Sequence, residues 1–192
     1  METISNAITD FYIRKNYIPQ EKKEIYSYGF KLIIADIINF SIVMLSGAVL
    51  GKFIESMLFL VTLCGIRQFS GGFHAKTFGL CRLSMLITFF GVILTSWLIT
   101  FVSFSTELLL ILNIICIVLI YTLAPIRHPN KTLTVEQKRR NKIKATITSL
   151  ILSVASSVLL LGKIDLGVII SITLAAVVIL MIIGLAVQKG GN

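Results

Sequence analysis

Six apolar runs divide the chain, at about Phe30–Leu50, Phe53–Ile66, Leu80–Phe101, Leu108–Ala124, Ile143–Leu161 and Leu166–Val187. A helix that crosses the hydrocarbon core of a bilayer, about 30 Å thick, needs about 20 predominantly apolar residues. The second run has only 14 residues, or about 21 Å at 1.5 Å per residue. Its shortness predicts that Arg67 and the residues after it lie below the membrane surface, in a partly sunken loop. Non-helical backbone at that depth is tolerated where it is buried in protein or lines a wet cavity. Ser70, Gly71 and Gly72 suit a sharp turn there, because glycine accepts positive φ. Short connections join the first run to the second, the third to the fourth and the fifth to the sixth, which predicts tight helical hairpins. Ahead of the first run, Ile4, Ala7, Ile8, Phe11 and Tyr12 recur on one helical face, with Asn6, Asp10 and Arg14 on another. Pro19 ends or bends that element. This amphipathic segment, 1–28, either lies on a leaflet or docks against the bundle. The expected architecture is all-α: one integral membrane domain over 1–192, with six spanning helices over 30–187.

Composition agrees with the pattern. The chain is 56% hydrophobic and 14% charged, with a mean hydropathy of +0.92, whereas a soluble domain carries about 25% charged residues. The first thirty residues hold charges and turn formers rather than a short apolar core and a small-residue cleavage site, so no secretory leader is read there. The net charge of +9 would suggest nucleic acid in a soluble protein. Here the cations fall between apolar runs and no nucleic-acid motif accompanies them. With six spans, every Lys and Arg except Lys52 and Lys163 falls on one side. The positive-inside rule then places both termini, the Arg67–Cys81 stretch and the Arg127–Lys144 loop in the cytoplasm of a cell with a multi-pass plasma-membrane protein. An odd span count would destroy the asymmetry. Cys64, Cys81 and Cys116 show no paired spacing, against a disulfide framework. Two histidines and no C-x-x-C argue against structural zinc, and no metal or cofactor is expected.

The stretch RQFSGGFHAKTFGLC, Arg67–Cys81, interrupts the apolar pattern with two adjacent glycines, a histidine, a thiol and two cations. His74 and Cys81 are its one pair suited to nucleophilic catalysis, since an imidazole can take a thiol proton and the thiolate is the reactive species. Cys81 stands where the third span begins, and a helix N-terminus favours an anion. On a straight helix, seven residues separate two Cα atoms by about 10.5 Å, too far for a hydrogen bond. The pair therefore requires the chain to fold back; Gly79 can help, and Thr77 could cap the next helix. Plainer readings stand beside this one. A His and a Cys seven apart occur by chance, and Arg67 can be a topology anchor. Cys64 and Cys116, in apolar runs, read as small buried hydrophobes. His128 is a rival base with no thiol among its sequence neighbours. Asp36 and Asn39 share a face of the first span. An intramembrane carboxylate is a functional candidate, and Asp36 could orient His74 or neutralise Arg67 or Lys31. Ser84 and a backbone carbonyl are further candidates for a third group; no G-x-S-x-G is present.

The pattern Arg67-x-x-x-Gly71-Gly72-x-His74 followed by Cys81, with Ala124-Pro125 and Asn130-Lys131 after the fourth span, resembles the accessory gene regulator B (AgrB) family. The resemblance covers essentially the whole chain. Thr132 stands where the family usually has Pro. The resemblance implies a membrane cysteine endopeptidase of Gram-positive bacteria that processes a small propeptide, AgrD, in quorum sensing. It implies His74 and Cys81 as the catalytic pair, with Arg67, Gly71 and Gly72 shaping the site. Cys81 would form an acyl-enzyme thioester as the peptide's C-terminal tail leaves, and an internal thiol or hydroxyl would close a thiolactone or lactone. AgrD-like tails are acidic, which makes Lys131, Arg139 and Arg140 candidates for tail binding; topology alone accounts for the same charges. The implied partners are an AgrD-like propeptide and the bilayer, with homodimerisation left open. A peptide exporter with Asp36 and Arg67 along its path is a rival reading, though no internal repeat or nucleotide-binding motif supports it. A non-catalytic membrane scaffold is another.

Overall fold

A computed structural model describes residues 2–71, 78–102, 105–126 and 134–190. These residues form helices α1 (Glu2–Arg14), α2 (Lys23–Val49), α3 (Phe53–Ser70), α4 (Phe78–Phe101), α5 (Thr106–Leu123), α6 (Val135–Leu161) and α7 (Leu166–Gly190), with a short 3-10 turn at Gln20–Lys22. No strand occurs among the described residues. Six of these helical segments are long and apolar enough to cross a membrane, as the six runs predict. The chain divides into two compact units, 1–46 and 47–192.

In the first unit α1 runs antiparallel to the start of α2. Lys31 Nζ meets Glu2 Oε1 at 2.7 Å, Ser27 Oγ meets Asn6 Oδ1 at 2.5 Å and Lys23 Nζ meets Asp10 Oδ1 at 2.6 Å. Each step is four residues along both helices, so one polar row on each faces the other. Tyr12 also stacks on Phe30, with ring centroids 5.6 Å apart. Ile4 and Phe11 stay exposed while Ser5 and Thr9 are buried. The amphipathic segment is thus fastened by its polar side and by Tyr12, and Ile4 and Phe11 of its apolar side are left open.

In the second unit α7 is the central helix, packed against α3, α4, α5 and α6. Its most apolar stretch is 56% buried, against 22–33% for the stretches of the other four. A helix that is apolar all round belongs at such a centre. The outer helices invert the polarity of a soluble bundle. On α6 the buried positions are Ala145, Ser149, Ser153, Ser156 and Leu160, whereas Ile147, Ile151, Val154 and Val158 are exposed. In lipid, apolar surface gains nothing by turning inward, so small residues sit where helices approach and hydroxyls find partners there. One such group is saturated: Ser156 Oγ donates to Gly167 O (2.8 Å), accepts from Asn113 Nδ2 (3.2 Å) and shares a bond with Ser171 Oγ (2.8 Å). Gly167 permits this approach of α6 and α7, because a Cβ there would lie 2.8 Å from Ser156 O and 2.9 Å from Leu160 N.

Two boundaries differ from the sequence expectation. Helix α3 continues four residues beyond Ile66, because its buried row Ser56, Phe59, Leu63, Ile66 and Ser70 keeps its period past Arg67. Its 18 residues span about 27 Å, close to the hydrocarbon thickness. Shortness therefore gives no reason for a loop at Arg67, which is helical; 72–77 lies outside the described residues. Helix α6 begins at Val135, so much of the expected Arg127–Lys144 loop is helix. Thr134 Oγ1 accepts from Gln137 N (3.2 Å) and Gln137 Oε1 accepts from Thr134 N (3.1 Å), a reciprocal cap.

Candidate functional site

Helix α4 begins at Phe78 and places Cys81 in its first turn. The buried positions that follow are Met85, Phe89, Val92 and Ser96. Steps of four, four, three and four residues from Cys81 keep one side of an α-helix. Cys81 therefore heads the inward row of α4 and is half-buried, with a free thiol. The same row meets α3 through Phe59 and Phe89, whose rings are 5.4 Å apart and edge-on at 61°.

Helix α3 ends at the same end of the bundle. Arg67 lies in its last turn, half-buried, with its Nε fully buried. Gly71 terminates the helix with φ 70° and ψ −155°, a backbone region that is essentially confined to glycine. The chain there touches the segment after α5: Ile126 N donates to Ser70 O at 2.9 Å. A Cβ on Gly71 would come within 2.9 Å of Ile126 O. Ser70 and Ile126 are both buried. This contact holds the root of the stretch leading to His74 beside the root of the stretch leading to Lys131.

The start of α6 brings the cations. Lys142 Nζ stands 4.2 Å above the Tyr121 ring of α5, and Lys144 Nζ stands 5.4 Å above the Phe69 ring of α3. Such seats hold a cation by the ring quadrupole. Arg139 and Arg140, two to five residues earlier, are exposed. Cations at a helix N-terminus oppose the macrodipole, so helix stability does not explain their placement.

Several expected site residues fall elsewhere. Gly72, His74, Lys76, Thr77, His128 and Lys131 lie outside the described residues. Ser84 is half-buried, one turn beyond Cys81, and its carbonyl accepts from Thr88 Oγ1 at 2.8 Å. Cys116 is buried and Cys64 half-buried. Asp36 belongs to the first unit, exposed on α2, with Asn39 buried one turn on. Sequence reasoning missed the Ser70–Ile126 contact, the aromatic seats and the Asn113–Ser156–Ser171 group. Only the Thr134-x-x-Gln137 cap had a legible signal.

The fold and these positions define a multi-pass helical membrane protein with a thiol heading the inner row of one span and a cation-rich helix start at the same end. Comparison with known proteins gives the family. Residues 5–185 match the model of Accessory gene regulator B, and the chain belongs to that family. It is 28% identical over 153 residues, 77% of this chain and 71% of the relative, to a Clostridium perfringens strain 13 protein named by likeness as AgrB-like protein 2. It is 33% identical over 113 residues, 58% of each chain, to AgrB-like protein 1 of the same strain. No solved structure matches it. Membership places the chain in accessory gene regulator quorum sensing.

Proposed function

We propose that the protein is a membrane cysteine endopeptidase that removes the C-terminal tail of an AgrD-like propeptide. The observation that carries this reading is the placement of Cys81: a half-buried thiol at the head of an inward row, in the first turn of a spanning helix. A thiol placed only to fill space would sit lower in that row, as Cys116 does in α5. The positive end of the α4 macrodipole favours an anion at Cys81, and Arg82 adds positive potential.

His74 takes the proton from the Cys81 thiol as Sγ attacks the carbonyl carbon at the tail junction. The tetrahedral intermediate collapses, the C–N bond breaks, and the same proton passes to the departing amine. The peptide remains as a thioester on Cys81. A thiol or hydroxyl within the peptide attacks that carbonyl and gives its proton to His74, the bond to Sγ breaks, the ring closes as thiolactone or lactone, and the proton returns to Cys81 Sγ. Lining by protein and bilayer at this end keeps water from the thioester. Arg67, Gly71 and Gly72 shape the site.

Lys131, Arg139 and Arg140 bind an acidic tail. Cations gathered at a helix N-terminus supply both formal charge and oriented amides, a combination suited to an anion. The positive-inside asymmetry supports a cytoplasmic site and cytoplasmic termini.

The test uses membranes containing the protein with its cognate propeptide, followed by intact mass. Wild type should release the tail and carry a hydroxylamine-sensitive peptide adduct. Cys81→Ala should lose both, and His74→Ala should lose the adduct. Cleavage that persists in Cys81→Ala removes the peptidase reading and leaves the scaffold or exporter.

A further inference from the structure

At the end of the bundle opposite Cys81, the second unit holds an open cleft. Lys52 and Glu55 line it from the start of α3, Ser96 and Trp97 from the last turns of α4, and Asp165 from the turn before α7. Ile93 and Ile169 supply apolar wall.

The polar groups of this cleft are incompletely used. Lys52 Nζ and Glu55 Oε1 pair at 2.9 Å. Asp165 forms no ion pair among the described residues. Ser96 is 4% exposed, and its buried Oγ has no hydrogen-bond partner. A buried hydroxyl without a partner is unfavourable, and a polar ligand group in the cleft would relieve it. One cation and two carboxylates leave the walls net negative, so the ligand must bring a cation.

The location indicates where that ligand comes from. The cleft lies where spanning helices begin and end, at the level of lipid headgroups. Trp97 is 55% exposed and stacks on Phe101 with ring centroids 5.5 Å apart, as an aromatic anchor at a membrane boundary does. Apolar wall leads from the charged rim toward the bilayer interior.

We propose that this cleft binds the headgroup of a phospholipid carrying a primary amine. Its ammonium donates to Asp165, its phosphate pairs with Lys52, and an ester or phosphate oxygen accepts from Ser96 Oγ. The acyl chains leave along Ile93, Trp97 and Ile169. A quaternary ammonium has no N–H to give Asp165, and an anionic headgroup meets two carboxylates. The ligand class is therefore the ethanolamine type rather than the choline or glycerol type.

The experiment takes the full chain, delipidated in detergent, and adds phosphatidylethanolamine, phosphatidylcholine or phosphatidylglycerol of matched acyl chains. Native mass spectrometry reads the bound lipid. About a tenfold preference for phosphatidylethanolamine is expected, the value of one hydrogen bond to a charged group. Asp165→Asn should remove the preference; Asn retains a turn-forming side chain, and unchanged thermal unfolding without lipid checks the fold. Asp165→Glu should restore part of the preference. Glu107→Gln, a carboxylate at the same end but outside the cleft, should leave it intact. Equal retention of the three lipids overturns the proposal, as does a preference that survives Asp165→Asn. Competition by soluble ethanolamine phosphate as strong as by the lipid assigns the cleft to a water-borne amine, and the lipid assignment fails.

Discussion

Replacing Gly71 with Ala tests how the site is held. The backbone there sits at φ 70° and ψ −155°, where a side chain costs about 1–3 kcal/mol. The new Cβ would also press on Ile126 O at 2.9 Å, an atom fixed by the buried segment around it. Relief requires the two strands of chain to part, which breaks the Ile126 N–H to Ser70 O bond of 2.9 Å at about 0.5–1.5 kcal/mol. The sum is about 2–4 kcal/mol against the native arrangement. Gly71 ends a helix and does not lie in the bundle's interior, so this cost displaces the segment rather than unfolding the protein. If the arrangement is required for tail cleavage, the rate falls about 30-fold or more, at 1.36 kcal/mol per decade. Single-turnover cleavage of the propeptide in membranes measures it, with unfolding in detergent as the companion readout. Gly79→Ala is the control: it lies near Cys81, but its Cβ meets nothing within 4 Å, so cleavage should persist. Adding Ile126→Gly, which frees the opposing backbone, should recover part of the loss. A Gly71→Ala protein that cleaves at the wild-type rate refutes the argument from backbone conformation and close approach.

Three further outcomes follow from the geometry. Ser156→Ala removes one donor and two acceptor contacts; at about 0.6 kcal/mol per interhelical bond in a bilayer, unfolding in mixed micelles should show a loss of about 2 kcal/mol, and Asn113→Ala should add little on top of it. Glu2 is held below its usual 4.5, first by its hydrogen bond from Lys31 and then by that ammonium's charge. A depressed carboxylate contributes above its unfolded pKa and stops contributing as pH falls through its lower folded value. Amide protection factors in α1, measured against intrinsic exchange at each pH, should thus be level from pH 7 to about 5 and fall below 4.5; protection insensitive to acid would dismiss the Glu2–Lys31 contact as a fastening. Double charge reversal at Arg139 and Arg140 should raise KM for an acidic-tailed peptide about 10-fold or more with little change for a neutral-tailed one, and equal effects on both would leave these cations to topology.

The six spans were legible because their signal is turned toward lipid. On α6 the residues that give the run its hydropathy, Ile147, Ile151, Val154 and Val158, are the exposed ones. The same inversion hid the interior. Ser149, Ser153 and Ser156 weaken the apolar run, yet they form the face that packs, and nothing in a run of apolar letters says which serine meets Asn113. Helix ends were misread where charge was taken for a boundary: Arg67 and Gln68 continue α3 because Ile66 and Ser70 keep its inner row. Lys138, Arg139 and Arg140 ride on α6 because Thr134 caps it. Cys81 illustrates both sides. Its distance from His74 said only that a straight helix would keep the two apart. Its register was available, since Cys81, Met85, Phe89, Val92 and Ser96 share one helical side, and Ser96 at the far end marks that side as the one turned from lipid. A thiol in that row faces protein at the membrane edge, the position that the proposed acyl intermediate requires. A thiol on the opposite side, with Leu83, Ile87 and Leu94, would face hydrocarbon and reach no peptide.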